Sequence, residues 1–149
     1  MSTNNYYVLH DKNKKAKFDY EFITKHTAGL VLKGTEVKSI KNGSISLKEA
    51  FISIDNMEVY LKQAFVARLI TSSRDHEEVR NIKLLLNKKE ITELYKEITK
   101  KGLTIIPYKI YTENRRIKIE IYLAKGKTNY DKRHSIKDRD LSRITRGEY

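Results

Sequence analysis

The chain has 149 residues, 39% hydrophobic and 34% charged, with no cysteine. That length suits one domain with a modest core, and the missing thiols exclude disulfides and thiolate metal sites. With 31 Lys and Arg against 19 Asp and Glu, the net charge is +12, which points to a polyanionic partner: RNA, DNA or an acidic membrane.

No apolar run approaches the length of a membrane span. The opening "MSTNNYYVLHDKNKKAK" lacks the apolar core of a signal peptide. A soluble, cytoplasmic protein with no membrane partner is expected. Residues 1–11 read as a short flexible lead, with Tyr6, Tyr7, Val8 and Leu9 able to add an edge strand instead. The basic cluster Lys12, Lys14, Lys15 and Lys17 follows, then "YEFITKHTAGLVLKG", whose β-branched and apolar residues favour a strand. Gly34 and Thr35 stop it. Thr35 as N-cap and Glu36 in the first turn predict a short helix over "TEVKSIKNG", ended by Asn42-Gly43.

In "AFISIDNMEVYLKQAFVARL" the alternation of Ile52 and Ile54 with Ser53 and Asp55, a turn at Asp55-Asn56, and renewed alternation at Val59 and Leu61 predict a hairpin. "ITSSRDHEEVRNIK" is polar and aperiodic, a loop or connector. "LLLNKKEITELYKEITKKG" is the best helix: Leu84, Ile91, Leu94, Tyr95 and Ile98 recur at helical spacing, Asn87 and Glu90 form a capping pair, and Gly102 ends it. Two strands follow in "LTIIPYKIYTENRRIKIEIYLAKG", joined near Glu113-Asn114. Ile117, Ile119, Ile121 and Leu123 face the core, while Lys118, Glu120 and Tyr122 face water.

From Lys125 the alternation ends. Ile136, Leu141 and Ile144 are too few aliphatics for a helix to stand alone, so residues 125–149 read as a basic C-terminal tail, disordered when free. The expected fold is mainly β with α: residues 12–124 form a small antiparallel barrel of the oligonucleotide-binding (OB) type with peripheral helices, a closure that hides sheet edges and leaves a face and loops for ligand.

Nothing in the spacing supports catalysis. His10, His26, His76 and His134 are scattered and form neither HxH nor HExxH. No GxSxG occurs, and "AKGKT" lacks the upstream glycine of a phosphate-binding loop. The chain reads as a non-enzyme with no cofactor, metal or small-molecule substrate. A nuclease would need converging carboxylates, for which Asp19, Glu36 and Glu120 are the candidates.

The basic clusters carry more. Lys125 and Lys127 flank Gly126, where the missing side chain lets a phosphate approach closely, and Lys132 and Arg133 follow. Tyr130 stands among these charges with no apolar neighbour, placed to stack on a base or to cover the rim of the barrel. Glu36 is either a carboxylate answering the helix dipole or an acceptor for a base edge or ribose 2′-hydroxyl, which favours RNA.

"NKKAKFDY", "AGLVLKGTEVKSIKNGSISLKEAF", "KLLLNKKEI", "KKGLTIIPYKIY" and "KIEIYLAKGKTNYDKR" occur in the order seen in the SsrA-binding protein (SmpB) family. The chain resembles that family from about Asn13 to Asp140, with "GTEVKS" and "AKGK…YDKR" the most specific motifs. The resemblance implies an OB-type barrel that binds the tRNA-like domain of transfer-messenger RNA (tmRNA). It also implies delivery of that RNA to stalled 70S ribosomes for trans-translation: ribosome rescue, with tagging of the incomplete protein for degradation. By motif, Asn13, Lys14, Lys15, Gly34, Thr35, Glu36 and Lys38 would face tmRNA, and Lys125, Gly126 and Lys127 would lie at the RNA or ribosome boundary. Tyr130, Asp131, Lys132 and Arg133 would act at the decoding centre, and Lys137, Arg139, Arg143 and Arg146 would track phosphates in the messenger channel. The family's basic stretch before the long helix is here "SSRDHEEVRNIKLLL". Glu77, Glu78 and Ile82 make it less basic, and it is assigned no RNA contact. The alternative function is a general single-strand or ribosomal RNA-binding protein of the same fold.

Overall fold

The computed structural model describes residues 6–68 and 77–127. Its elements in chain order are β1 (Tyr7–Lys12), α1 (Lys14–Asp19), β2 (Tyr20–Leu30), α2 (Gly34–Lys41), β3 (Ile45–Ser46), β4 (Phe51–Asp55), β5 (Glu58–Lys62), β6 (Phe65–Val66), β7 (Ile82–Leu85), α3 (Lys88–Lys101), β8 (Thr104–Glu113) and β9 (Arg116–Gly126). The protein is thus mainly β with helices. Seven strands form one antiparallel sheet in the order β1-β8-β9-β2-β7-β5-β4, and β3 pairs with β6 beside it. The sheet curls so that β4 lies against β8. Among the described residues no hydrogen-bonded ladder joins its two end strands.

The long strands are made by alternation. Ile119, Ile121 and Leu123 of β9 and Ile105 and Ile110 of β8 face inward with Val59, Leu61, Ile82 and Leu84, each such side chain contributing roughly 1.5–3 kcal/mol by leaving water. Ile91 and Leu94 fix α3 onto this core, and Ile40 fixes α2. Asn87 Oδ1 accepts the Glu90 N–H at 2.8 Å and Gly102 takes φ +65, so α3 starts and stops where its capping residues place it. No helix among the described residues is long and apolar enough to cross a membrane.

Several expectations need correction. Residues 7–11, expected in a flexible lead with an edge strand as the alternative, take the edge strand, which runs on to Lys12 and pairs with β8. Of the lysine cluster, Lys12 ends β1, and Lys14, Lys15 and Lys17 wind into α1. Leu84 is not the front of the long helix: "IKLL" is β7, an interior strand between β2 and β5. The short helix begins before Thr35, with Lys33 at the N-cap and Glu36 at the third helical position. The first hairpin turn sits one residue later than expected, at Asn56-Met57 (φ 50 and 61), while the second lies near Glu113-Asn114 as expected, with Asn114-Arg115 at its tip (φ 50 and 70). Paired positive φ values match the twist of the flanking strands.

The outer face of β2, β8 and β9 is not simply wet. Ile106, Tyr108 and Ala124 are buried there with Ala16 of α1, and Tyr20, Phe22 and Tyr122 pack around them. Phe22 and Tyr122 stack at 4.4 Å, and Tyr108 meets both edge-on at 5.2 and 5.6 Å. Packing against the Glu120 carboxylate, whose Oε2 accepts the phenol at 3.0 Å, burial and that charge push the Tyr122 hydroxyl up to about 12.

Candidate nucleic-acid interface

The residues predicted to meet RNA fall at two places separated by the length of β2, about 30 Å of contour at the usual strand rise. At the far end of β2 lies the start of α2. Glu36 is fully buried. Its Oε1 accepts the Lys33 N–H at 2.7 Å, which is the helix-start bond expected of an acidic residue three positions beyond the N-cap. Arg80 closes a fork on it, Nε to Oε2 at 2.8 Å and Nη2 to Oε1 at 2.6 Å. Arg80 also donates to the carbonyls of Val31 at 3.1 Å and Asn81 at 3.1 Å. One guanidinium therefore ties the end of β2, the start of α2 and the approach to β7. The Glu36 hydrogen bond raises the Arg80 pKa against the opposing effect of burial.

This changes the reading of Glu36. With both oxygens engaged and no exposed surface, it presents no acceptor to a base edge or a 2′-hydroxyl. Around it Gly34 and Lys38 are exposed and Thr35 is half-buried, so the surface at this end belongs to them. Arg80 lies in the connector assigned no RNA contact. Its role here is to hold the helix start.

At the near end of β2, α1 and the end of β9 come together. Tyr20 pairs with Gly126, and the Lys127 N–H donates to the Asp19 carbonyl at 2.9 Å. Lys127 Nζ reaches the Lys17 carbonyl at 3.1 Å. The Asn13 N–H donates to the Tyr108 carbonyl at 2.7 Å, while its side chain makes no capping bond to α1. Lys14, Lys15, Lys125 and Gly126 are exposed, and a Cβ at Gly126 would meet nothing within 4 Å. The structure thus brings Asn13, Lys14 and Lys15 to Lys125, Gly126 and Lys127, and keeps Gly34, Thr35, Glu36 and Lys38 apart from them.

Three residues not singled out in the sequence, Pro107, Tyr108 and Lys109, also stand here. Pro107 cannot donate to the ladder, and a bulge between Pro107 and Lys109 turns two consecutive residues, Tyr108 and Lys109, to the same outer face. The buried Tyr108 ring then has Lys12, Lys17 and Lys109 ammonium groups at 5.4, 5.2 and 5.5 Å from its centroid. The proline inside a strand pattern was the available signal for a bulge.

Asp19, Glu36 and Glu120 lie at the α1 end, at the α2 end and on the outer face of β9, and among the described residues no three His, Cys, Asp or Glu gather as metal ligands. His10 Nε2 contacts Thr112 Oγ1 at 2.6 Å, and burial with the nearby Lys41 charge lowers its pKa. The tail expected to be disordered from residue 125 begins later than that, since Lys125 and Gly126 end β9 and Lys127 is bonded to Asp19; Tyr130, Asp131, Lys132, Arg133, Lys137, Arg139, Arg143, Arg146 and the rest of that tail lie outside the described residues.

Comparison with known proteins gives a consistent result. The family described as "SmpB protein" matches residues 10–148. An SsrA-binding protein of Persephonella marina is 46% identical over 138 residues, covering 92% of this chain and 91% of its own. That of Mycoplasma mycoides subsp. mycoides SC is 47% identical over 134 residues, covering 89% and 90%. That of Aquifex aeolicus is 41% identical over 140 residues, covering 93% and 89%. A solved structure described as "tmRNA-SmpB: a journey to the center of the bacterial ribosome" superposes with a TM-score of 0.66 at 34% identity, over 85% of this chain and 93% of that one.

Proposed function

Because the chain belongs to the SmpB family, we propose that it is an RNA-binding adaptor, which binds the tRNA-like domain of tmRNA and delivers it to stalled 70S ribosomes for trans-translation. The single observation that carries this reading is the family match across residues 10–148, supported by relatives named SsrA-binding proteins. The protein works in the cytoplasm and catalyses nothing itself. Its sheet acts as a barrel of the OB type, with β4 lying against β8 in place of a closing ladder.

In this proposal Gly34, Thr35 and Lys38 meet tmRNA at one end, on a surface that Glu36 supports from below through Arg80. Asn13, Lys14, Lys15, Lys125, Gly126 and Lys127 present charge and open backbone at the other end. The residues beyond supply the ribosomal contacts, Tyr130 stacking beside Asp131, Lys132 and Arg133 at the decoding centre, with Lys137, Arg139, Arg143 and Arg146 along the messenger channel.

A gel-shift titration at fixed salt tests the partner. The tRNA-like domain of tmRNA is expected to bind at least a hundredfold more tightly than a tRNA of similar size, about 2.7 kcal/mol. Equal binding would make this a general RNA-binding protein. Truncation before Asp131 is expected to leave tmRNA binding within a few-fold and abolish tagging on stalled ribosomes. Loss of RNA binding on truncation would refute that division between body and tail.

A further inference from the structure

Three lysines from three elements converge on one ring: Lys12 from β1, Lys17 from α1 and Lys109 from β8, each ammonium within 5.5 Å of the Tyr108 centroid. Among the described residues none of the three has a carboxylate within ion-pair distance, although the protein forms such pairs elsewhere, at Lys62–Asp55 and Lys101–Glu97. The nearest carboxylate by register is Glu120, opposite Lys109. It is engaged with Lys25 at 3.8 Å and with the Tyr122 hydroxyl. Lys127, bonded to the Lys17 carbonyl, adds a fourth cation at the same place.

Such an arrangement works against folding. Three like charges gathered around one ring repel one another, and salt at physiological strength screens such repulsion over about 8 Å. Cation–π attraction returns roughly 0.5–1 kcal/mol for an exposed cation, and a single ring shared among three serves each of them less well. Placing one carboxylate in their midst would have served stability better. An anion from outside serves it equally well, and the exposed ends of Lys12 and Lys17 leave the way open.

We infer that Lys12, Lys17 and Lys109, gathered on Tyr108, form a phosphate-binding site that grips one stretch of an RNA backbone between α1 and the β8 bulge. The inference rests on the proposal that the protein binds RNA, and it assigns to this site sequence-independent grip alone. Tyr108 is the platform and makes no contact with the nucleic acid. Because the cluster adjoins Gly126 and Lys127, the backbone held here continues toward the start of the C-terminal residues.

The test is the salt dependence of binding. The full-length triple variant Lys12→Met, Lys17→Met, Lys109→Met keeps the aliphatic stems over the ring and removes three charges. A control variant, Lys88→Met, Lys89→Met, Lys96→Met, removes the same charge from exposed positions on α3. Each phosphate contact contributes roughly 0.7–0.9 to the slope of log K against log salt. The cluster variant is therefore expected to bind with a slope about 2 units shallower than wild type, with the control nearly unchanged. Equal slopes for all three proteins, or an equal fall in both variants, would overturn the site. If the triple variant melts early, the three single variants are each expected to lose about 0.7–0.9, and unchanged slopes in all three would overturn it as well. Both the tRNA-like domain of tmRNA and an unrelated tRNA serve as probes. A wild-type protein that fails to prefer tmRNA refutes the adaptor proposal, while the slopes on either RNA still judge the lysine cluster.

Discussion

The two ends of β2 use charge in opposite ways. At the α2 end a buried carboxylate and a guanidinium neutralise each other completely, with every bond directed into the protein. At the α1 end three lysines share an aromatic ring and have no carboxylate of their own among the described residues. In each case a charged residue beside a helix, Glu36 in α2 or Lys12 before α1, meets a partner from a distant segment, Arg80 before β7 or Lys109 within β8. The difference teaches that charge in this family member serves folding where it is paired and ligand binding where it is left over.

The comparison breaks most easily at Arg80. Arg80→Met leaves the Glu36 carboxylate buried and unpaired, and a loss of about 3–5 kcal/mol is expected in urea denaturation; a loss below about 1 kcal/mol would mean that the fork contributes little. Glu36→Gln is milder, since Arg80 retains some exposure and the amide oxygen can still accept from Lys33. About 1–3 kcal/mol is expected, with tmRNA affinity of the fully folded variant within a few-fold of wild type. A large affinity loss without a stability loss would return Glu36 to direct contact with RNA.

At the other end the sign differs. Lys109→Met is expected to change stability by no more than about 0.5 kcal/mol, as is usual for surface sites, and toward higher stability at low salt. A melt at two salt concentrations measures this, and a clear destabilisation would show that Lys109 serves the fold. The smallest effect lies at His10. Its pKa is depressed by burial and by Lys41, so the neutral ring is the one that the fold accommodates. That contribution is present above the ordinary value of 6.5 and is lost as pH falls through the lowered one. A proton NMR titration should find His10 below 6.5, and Lys41→Met should move it part of the way back.

Much of the fold was legible because local chemistry determines it. Asn87, Glu90 and Gly102 mark both ends of α3, and the alternation through Ile117, Ile119, Ile121 and Leu123 marks β9 and its inward face. β7 was missed because Leu84 fits both a strand of period two and the helix that follows. The Asn87 cap, read strictly, already placed the helix start beyond it. The partner of Glu36 was out of reach because Arg80 is 44 residues away in the chain, and no local pattern reports so distant an ion pair. The Tyr108 platform depends on a one-residue bulge, which breaks the parity that alternation counts rely on.

That bulge has an entropic consequence. A lysine side chain in solution samples many rotamers, and fixing one costs up to about 2 kcal/mol. Lys12, Lys17 and Lys109 are already drawn toward a buried ring that packs edge-on against the Phe22–Tyr122 stack, so part of that freedom is given up when the chain folds, before any partner arrives. Lys14 and Lys15, which have no such anchor among the described contacts, give theirs up only on binding. Calorimetry of the Lys12, Lys17, Lys109 variant beside a Lys14→Met, Lys15→Met variant would therefore separate them by heat and entropy even where their free energies agree: the gathered lysines act as a preorganised receptor, the others as flexible arms.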